Sequence, residues 1–179
     1  MTDKTNTPDE IVDVVNEQDE VIGQSTKGEV NSNSNVIHRE VAVLIYDDQN
    51  RVLIQQRSKN KKFMPLFWII SVAGHVKSSQ TYEDAAQMEL GEELGFNTEL
   101  RLYDKQLIKY SNETQFSACY LGKIPNGVTI RIDPRETEAV RFVNETELDE
   151  MIKRGEKIEE YSLSDFRKFF RGEFDKLLF

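Results

Sequence analysis

The sequence predicts an α/β protein in which a mixed sheet carries helices on both faces. Three observations lead there. Apolar and alternating runs at 36–57, 97–123 and 139–144 have the composition of strands. A short helical segment, TYEDAAQMELGEELGF, stands among them in mid-chain. The stretch from 146 to 179 then turns helical, with apolar residues on one face.

In order, residues 1–10 are polar and are expected to form a disordered tail, leaving 11–179 as one folded domain. IVDVV (11–15), the turn-like NEQDE and VIG (21–23) read as a hairpin. STKGEVNSNSN (25–35) is rich in turn formers and has room for one short helix. VIHREVAVLIYD (36–47) reads as a long strand, DDQN as a turn, and RVLIQQR (51–57) as the second arm of an antiparallel pair. The basic loop SKNKKFMPLFW (58–68) leads through an apolar stretch, with Trp68 expected in the core, to Gly74. After the mid-chain helix, NTELRLYDKQLIKY (97–110), ETQFSACYLGK (113–123) and AVRFVN (139–144) are further strands. TELDEMIKRG (146–155) reads as a helix with Thr146 as cap and Gly155 as stop. SLSDFRKFFRGEFDKLLF (162–179) reads as a last helix whose Phe166, Phe169, Phe170, Phe174, Leu177 and Leu178 pack into the core.

The mid-chain helix breaks local rules. Thr81 and Asp84 read as a capping box at its start, and Gly95 as its stop. Between Lys77 and Arg101 there is no Lys or Arg, yet six acids: Glu83, Asp84, Glu89, Glu92, Glu93 and Glu99. Glu89, Glu92 and Glu93 are helical neighbours, and like charges so spaced cost about 0.2–0.5 kcal/mol per pair. The negative end of the helix dipole adds to that cost. One reading is a solvated acidic face. The other is a functional site, where such conflicts concentrate, with a divalent cation as the missing partner.

Composition narrows the class. Hydrophobic residues make up 38% and charged residues 31% of the 179, which suits a soluble globular protein. The longest apolar runs, VAVLIY (41–46) and LFWII (66–70), are far too short to span a bilayer. No secretory signal is visible at the N-terminus, and a lone Cys119 fits a reducing compartment, so a cytoplasmic protein is expected. A net charge of −9, from 23 basic and 32 acidic residues, argues against non-specific nucleic-acid binding and against anionic membranes. Small phosphorylated ligands remain compatible, since a local basic cluster or a metal reverses the field.

Read from Gly74, the segment GHVKSSQTYEDAAQMELGEELGF resembles the Nudix box, with Glu89, Leu90, Glu92, Glu93, Gly95 and Phe96 at the family's offsets. Gln80 and Met88 stand where the family pattern has Glu and Arg, a pair that typically forms a structural salt bridge. The resemblance continues through VDVVNEQDEVIGQSTKGEVN, VIHREVAVLIYDDQNRVLIQQRS, KK, FW and GHV, covering most of residues 11–96. It is to the Nudix branch that includes type 1 isopentenyl-diphosphate isomerase and its hydrolase-like relatives. The resemblance implies an α/β/α sandwich around a mixed central sheet, and a fold that often forms homodimers.

It also implies a chemistry: Mg²⁺- or Mn²⁺-dependent hydrolysis of a small-molecule diphosphate, such as a nucleoside diphosphate derivative. Gly74, Glu89, Glu92 and Glu93 would be metal-binding, and Glu92, Glu93 and Glu136 catalytic, with Glu92 orienting water and Glu136 in the place of a downstream base. Arg57, Lys61 and His75 would bind substrate. Arg57, Lys59, Lys61 and Lys62 form the dense basic cluster of an acidic chain. His38 and Glu113 sit where the isomerase branch draws further metal partners. Two rivals remain at this stage. An isomerase is disfavoured because the catalytic Cys position, two residues before His75, is Ala73. A catalytically weak diphosphate-binding module is the other, with Gln80 and Met88 as its support.

Overall fold

Six consecutive buried residues, Val41 to Tyr46, need partners on both edges of their strand, because a backbone buried on both faces has no water to bond. The structure, a computed structural model describing residues 9–179, places them in β3 (Ile37–Tyr46). Along one edge β3 runs parallel to β8 (Thr114–Lys123), from Ile37↔Thr114 to Tyr46↔Lys123. Along the other it pairs antiparallel with β6 (Val72–His75). The antiparallel arm expected at 51–57, β4 (Val52–Arg57), shares only the pair Tyr46↔Val52 with β3. The turn was read correctly and the ladder was not. With both edges of β3 taken, β4 diverges to pair with β9 (Thr137–Val143) and β5 (Trp68–Ile69).

The N-terminal hairpin forms as β1 (Ile11–Val15) and β2 (Val21–Thr26), with α1 (Lys27–Val30) behind it. The tail expected to be disordered lies, up to residue 8, outside the described residues. Of its last two residues, the Asp9 carboxylate accepts from Gly28 N at 3.2 Å and the Glu10 carbonyl from Lys27 N at 2.8 Å. β7 (Leu100–Lys109) completes the sheet against β8.

Alternation along β3 sends its side chains to two cores. Val41, Val43 and Ile45 meet Ala85, Ala86, Leu90 and Leu94 of α2 (Tyr82–Leu94). Leu44 and Tyr46 meet Leu148 and Met151 of α3 (Glu145–Lys153), and Phe166 and Phe169 of α4 (Glu160–Phe170). Helices therefore cover both faces of a mixed sheet, as the sequence predicts. Phe166 is fully buried, worth roughly 1.5–3 kcal/mol, and with Phe169 and Phe174 gives the aromatic stripe its role in the core.

Three helix ends differ from expectation. Asn144, not Thr146, caps α3: it accepts from Glu147 N at 2.9 Å while the Glu147 carboxylate accepts from Asn144 N at 2.8 Å. Asn is at least as good a cap as Thr, and Glu lies at the position that completes the reciprocal box. At α2, Thr81 Oγ1 accepts from Asp84 N at 3.1 Å, but Asp84 takes the Thr81 hydroxyl proton rather than its backbone N–H, so only half the box forms. The final helix stops early because Gly172 adopts φ +75°, leaving a short 3₁₀ turn at Asp175–Leu177. No helix among the described residues is long and apolar enough to cross a membrane.

Candidate active site

The parting of β3 and β4 opens a cleft of about 940 Å³. It is lined from β4 by Gln55 and Arg57, from β3 by Glu40 and Ala42, from β6 by Ala73, Gly74 and His75, and from α2 by Glu89, Glu92 and Glu93. Of the residues the sequence singles out for metal or substrate, Gly74, His75, Glu89, Glu92, Glu93, Glu113, Arg57, Lys61 and Glu136 line this one cavity, whereas His38 is fully buried and does not.

Position 74 must be glycine because Glu89 lies over it. A Cβ there would stand 2.6 Å from the Glu89 Cγ and Oε1. Glu93, one turn on, accepts from Gln55 Nε2 at 3.0 Å, while Gln55 Oε1 accepts from Thr137 Oγ1 at 2.9 Å. The Gln55 amide thus couples β9 to α2 and fixes where the Glu93 carboxyl points. Glu92 is exposed at the rim. Burial pushes Glu89 up to about 7, opposed by Lys27 and reinforced by Glu92. Burial likewise pushes Glu93 up to about 8, with Gln55 opposing and Glu89 and Glu136 adding. Half-buried carboxyls held together with so little cationic relief suit a divalent ion with oxygen ligands.

A second donor set lies beside the first. Ligand atoms of His38, His75 and Glu113 come within 4.8 Å of one another. His38 is fully buried with neither ring nitrogen partnered, and its ring stacks on His75 at 5.0 Å. His75 Nε2 is 2.8 Å from Asn31 Oδ1. Burial pushes His38 down to about 4 and His75 well below its ordinary value, so both imidazoles are neutral and suited to ligation. Orphaned nitrogens inside a protein are costly, and a cation removes that cost.

Opposite stand the cations. The Arg57 guanidinium donates through Nε to the Phe63 carbonyl at 3.2 Å, which aims its remaining donors into the cleft mouth. Lys61 forms an ion pair with Glu136, so the expected base and the expected phosphate ligand hold each other at the rim. Lys62 lines the cleft as well, whereas Lys59 lies outside it. Cys119 also reaches the cleft, but burial pushes its thiol up to about 12 and leaves it protonated. At the start of α2, Gln80 and Met88 do touch: Gln80 Nε2 is 3.4 Å from the Met88 sulfur, and Lys77 Nζ is 3.3 Å from it. A neutral contact thus fills the place of the salt bridge.

Sequence reasoning missed Gln55, Thr137 and Glu40. The one signal for Gln55 is a polar pair, Gln55–Gln56, closing an otherwise apolar strand.

Comparison with known proteins gives a consistent picture. The NUDIX domain family matches residues 36–166. An uncharacterized Nudix hydrolase of Nostoc sp. is 36% identical over 124 residues, covering 69% of this chain and 70% of that protein. Isopentenyl-diphosphate delta-isomerase 2 of Homo sapiens is 30% identical over 168 residues, covering 82% of this chain and 74% of that one. A Deinococcus radiodurans protein of known crystal structure shares the fold, with a TM-score of 0.75 at 24% identity over 90% of this chain and 99% of that chain.

Proposed function

The chain belongs to the Nudix family, and from that premise we propose that it hydrolyses a diphosphate linkage in a small molecule, such as a nucleoside diphosphate derivative, with Mg²⁺ or Mn²⁺ as cofactor. The observation that carries this reading is Glu89 over Gly74, with Glu93 one turn on, lining one cleft together with Arg57 and Lys61. Arg57 offers a planar fork of donors and Lys61 a point charge, together suited to diphosphate oxygens. Glu89 and Glu93, with the Gly74 carbonyl, would hold the cation, which when bound supplies charge neutralisation at phosphate and acidifies water. Gln55 keeps Glu93 oriented. Glu92, exposed at the rim, accepts the proton of the attacking water and passes it to solvent. Glu136, the residue expected as a downstream base, holds Lys61 at the cleft mouth through their ion pair.

Isomerisation of an isoprenyl diphosphate is the second reading, favoured by the likeness to the human isomerase and by the His38–His75–Glu113 cluster. Ala73 counts against it, since a methyl group neither gives nor takes a proton. The deciding experiment incubates the protein with Mg²⁺ or Mn²⁺ and a panel of diphosphate esters, reading phosphate and monoester release. Isopentenyl diphosphate is followed by NMR in parallel. Hydrolysis without isomerisation is the expected result, and isomerisation would overturn the assignment.

A further inference from the structure

The cleft continues past the carboxylates over one polar rung of the sheet. Glu40 of β3 pairs with His75 of β6 on one side and with Ser117 of β8 on the other, and Gln106 of β7 pairs with Ser117. Residues in register across strands share a face. All four line the cleft.

This face of β3 should be apolar, since Ala42, Leu44 and Tyr46 on it build the core under α3 and α4. A carboxyl there conflicts with the pattern, and such conflicts concentrate at functional positions. The next rung, Ala73–Ala42–Cys119, is made of small side chains, which leaves room above the polar one. Ser117 is 1% exposed, yet its hydroxyl reaches only the Cys119 sulfur, at 3.8 Å. The Gln106 amide likewise reaches only that sulfur, at 3.9 Å. Glu40 has Glu113 and Glu159 as acidic neighbours, Arg57 as its basic one and the Gln115 amide as its one hydrogen-bonding partner. The rung is therefore polar, roomy and under-bonded.

We propose that the rung Glu40–Ser117–Gln106 selects the group joined to the diphosphate, and that this group is hydroxyl-rich, a sugar or polyol. The inference rests on the hydrolase reading above and names its substrate class. Burial pushes the Glu40 carboxyl up to about 8, so near neutral pH it both donates and accepts, as do the Ser117 hydroxyl and the Gln106 amide. Vicinal hydroxyls, which also do both, satisfy such a set. An aliphatic chain would bury these groups unpaired.

The test uses a matched pair of five-carbon esters, ribose 5-diphosphate and pentyl diphosphate, with Mg²⁺, reading inorganic phosphate from the wild type, Glu40→Leu, Glu40→Gln and Ser117→Val. The wild type is expected to favour the ribose ester in kcat/KM by about a hundredfold or more, as sites built to bond hydroxyls do. Glu40→Leu should cut that ratio by about tenfold or more, chiefly through KM, and Glu40→Gln, which keeps an acceptor, should restore part of it. Equal or reversed preference in the wild type overturns the inference whatever the variants do. A Glu40→Leu or Ser117→Val protein that loses both esters in equal proportion also overturns it. Cleavage of pyrophosphate bonds without a hydroxyl preference would leave the hydrolase reading standing and sink only the selectivity. Failure to cleave any diphosphate ester would sink both.

Discussion

Glu89 occupies the space a side chain at Gly74 would need: a Cβ at position 74 would stand 2.6 Å from both Cγ and Oε1 of Glu89. Strand β6 and helix α2 therefore approach until the Gly74 backbone and the Glu89 side chain share one small volume. The φ of Gly74 is not in the left-handed region, so the glycine serves close approach rather than turn geometry.

Gly74→Ala follows from that contact. Glu89 can swing its flexible end outward, so stability should fall by only about 1 kcal/mol. The displaced carboxylate should cost about a hundredfold in kcat/KM, as misplacement by an ångström does. Thermal unfolding and steady-state kinetics on one preparation check both. A large loss of stability with activity retained would show that Glu89 is not positioned for chemistry.

Glu93→Gln keeps the shape and the bond partners of the side chain while removing its charge. The metal-free variant should fold as well as the wild type, because Gln55 can rotate its amide to meet the new one. Activity should fall by more than the roughly 10–100-fold that loss of an outer partner costs. Added Mg²⁺ should raise the wild-type Tm and do less for the variant, since binding to the native state alone stabilises it. Equal metal-induced shifts would remove Glu93 from the ligand set.

Local chemistry was legible in the sequence and long-range pairing was not. The α2 helix, its Gly95 stop and its stranded carboxylates are features of neighbours in the chain, and each stands where the sequence puts it. Gln55, by contrast, acts through Thr137, 82 residues on, and Glu93, 38 residues on, and nothing nearby announces either bond. The same limit explains β3. Its apolar run reads as a strand, but its partner could be the arm after the turn or a segment such as Thr114–Lys123, and local pattern does not choose. Glu40 was hidden for a related reason: inside VIHREVAVLIY it looks like one polar residue at the frayed start of a strand, and only the register with His75 and Ser117 makes it part of a wall.

The neutral Gln80–Met88 contact invites a double-mutant cycle. Met88→Arg alone would set a guanidinium where the sulfur now lies, 3.3 Å from Lys77 Nζ, and should destabilise by about 1 kcal/mol or more. Gln80→Glu alone should be nearly neutral, because the Lys77 backbone N–H that donates to Gln80 Oε1 at 3.0 Å would donate equally to a carboxylate. Together they should recover stability, with a coupling of about 0.5–3 kcal/mol. Urea denaturation of the four proteins measures it, and strict additivity would mean that the two positions do not communicate.

Asp19 sets the acid limit of the N-terminal hairpin. Its carboxylate accepts from Arg39 Nε at 2.6 Å, Lys105 Nζ at 2.8 Å and the Tyr82 hydroxyl at 3.0 Å, tying the β1–β2 turn to β3, β7 and α2. Burial works to raise its pKa, but Lys105, Arg39 and Tyr82 outweigh burial and hold it below the usual carboxylate range. A carboxyl more acidic in the folded state binds fewer protons there than in the unfolded chain. Its stabilisation is therefore complete above the unfolded value of about 3.9 and is lost as pH falls through the lower, folded value. Asp19→Asn isolates the charge, because Asn tolerates the φ of +62° at this position. The variant should be less stable by about 2 kcal/mol at pH 7, the scale of a charged hydrogen-bond partner lost. That gap should hold from pH 7 down to about pH 4 and close only below it, as the pH falls towards the lower, folded value at which the wild-type carboxyl protonates too. Urea midpoints across that series decide it, and a gap independent of pH would assign the loss to packing and not to charge.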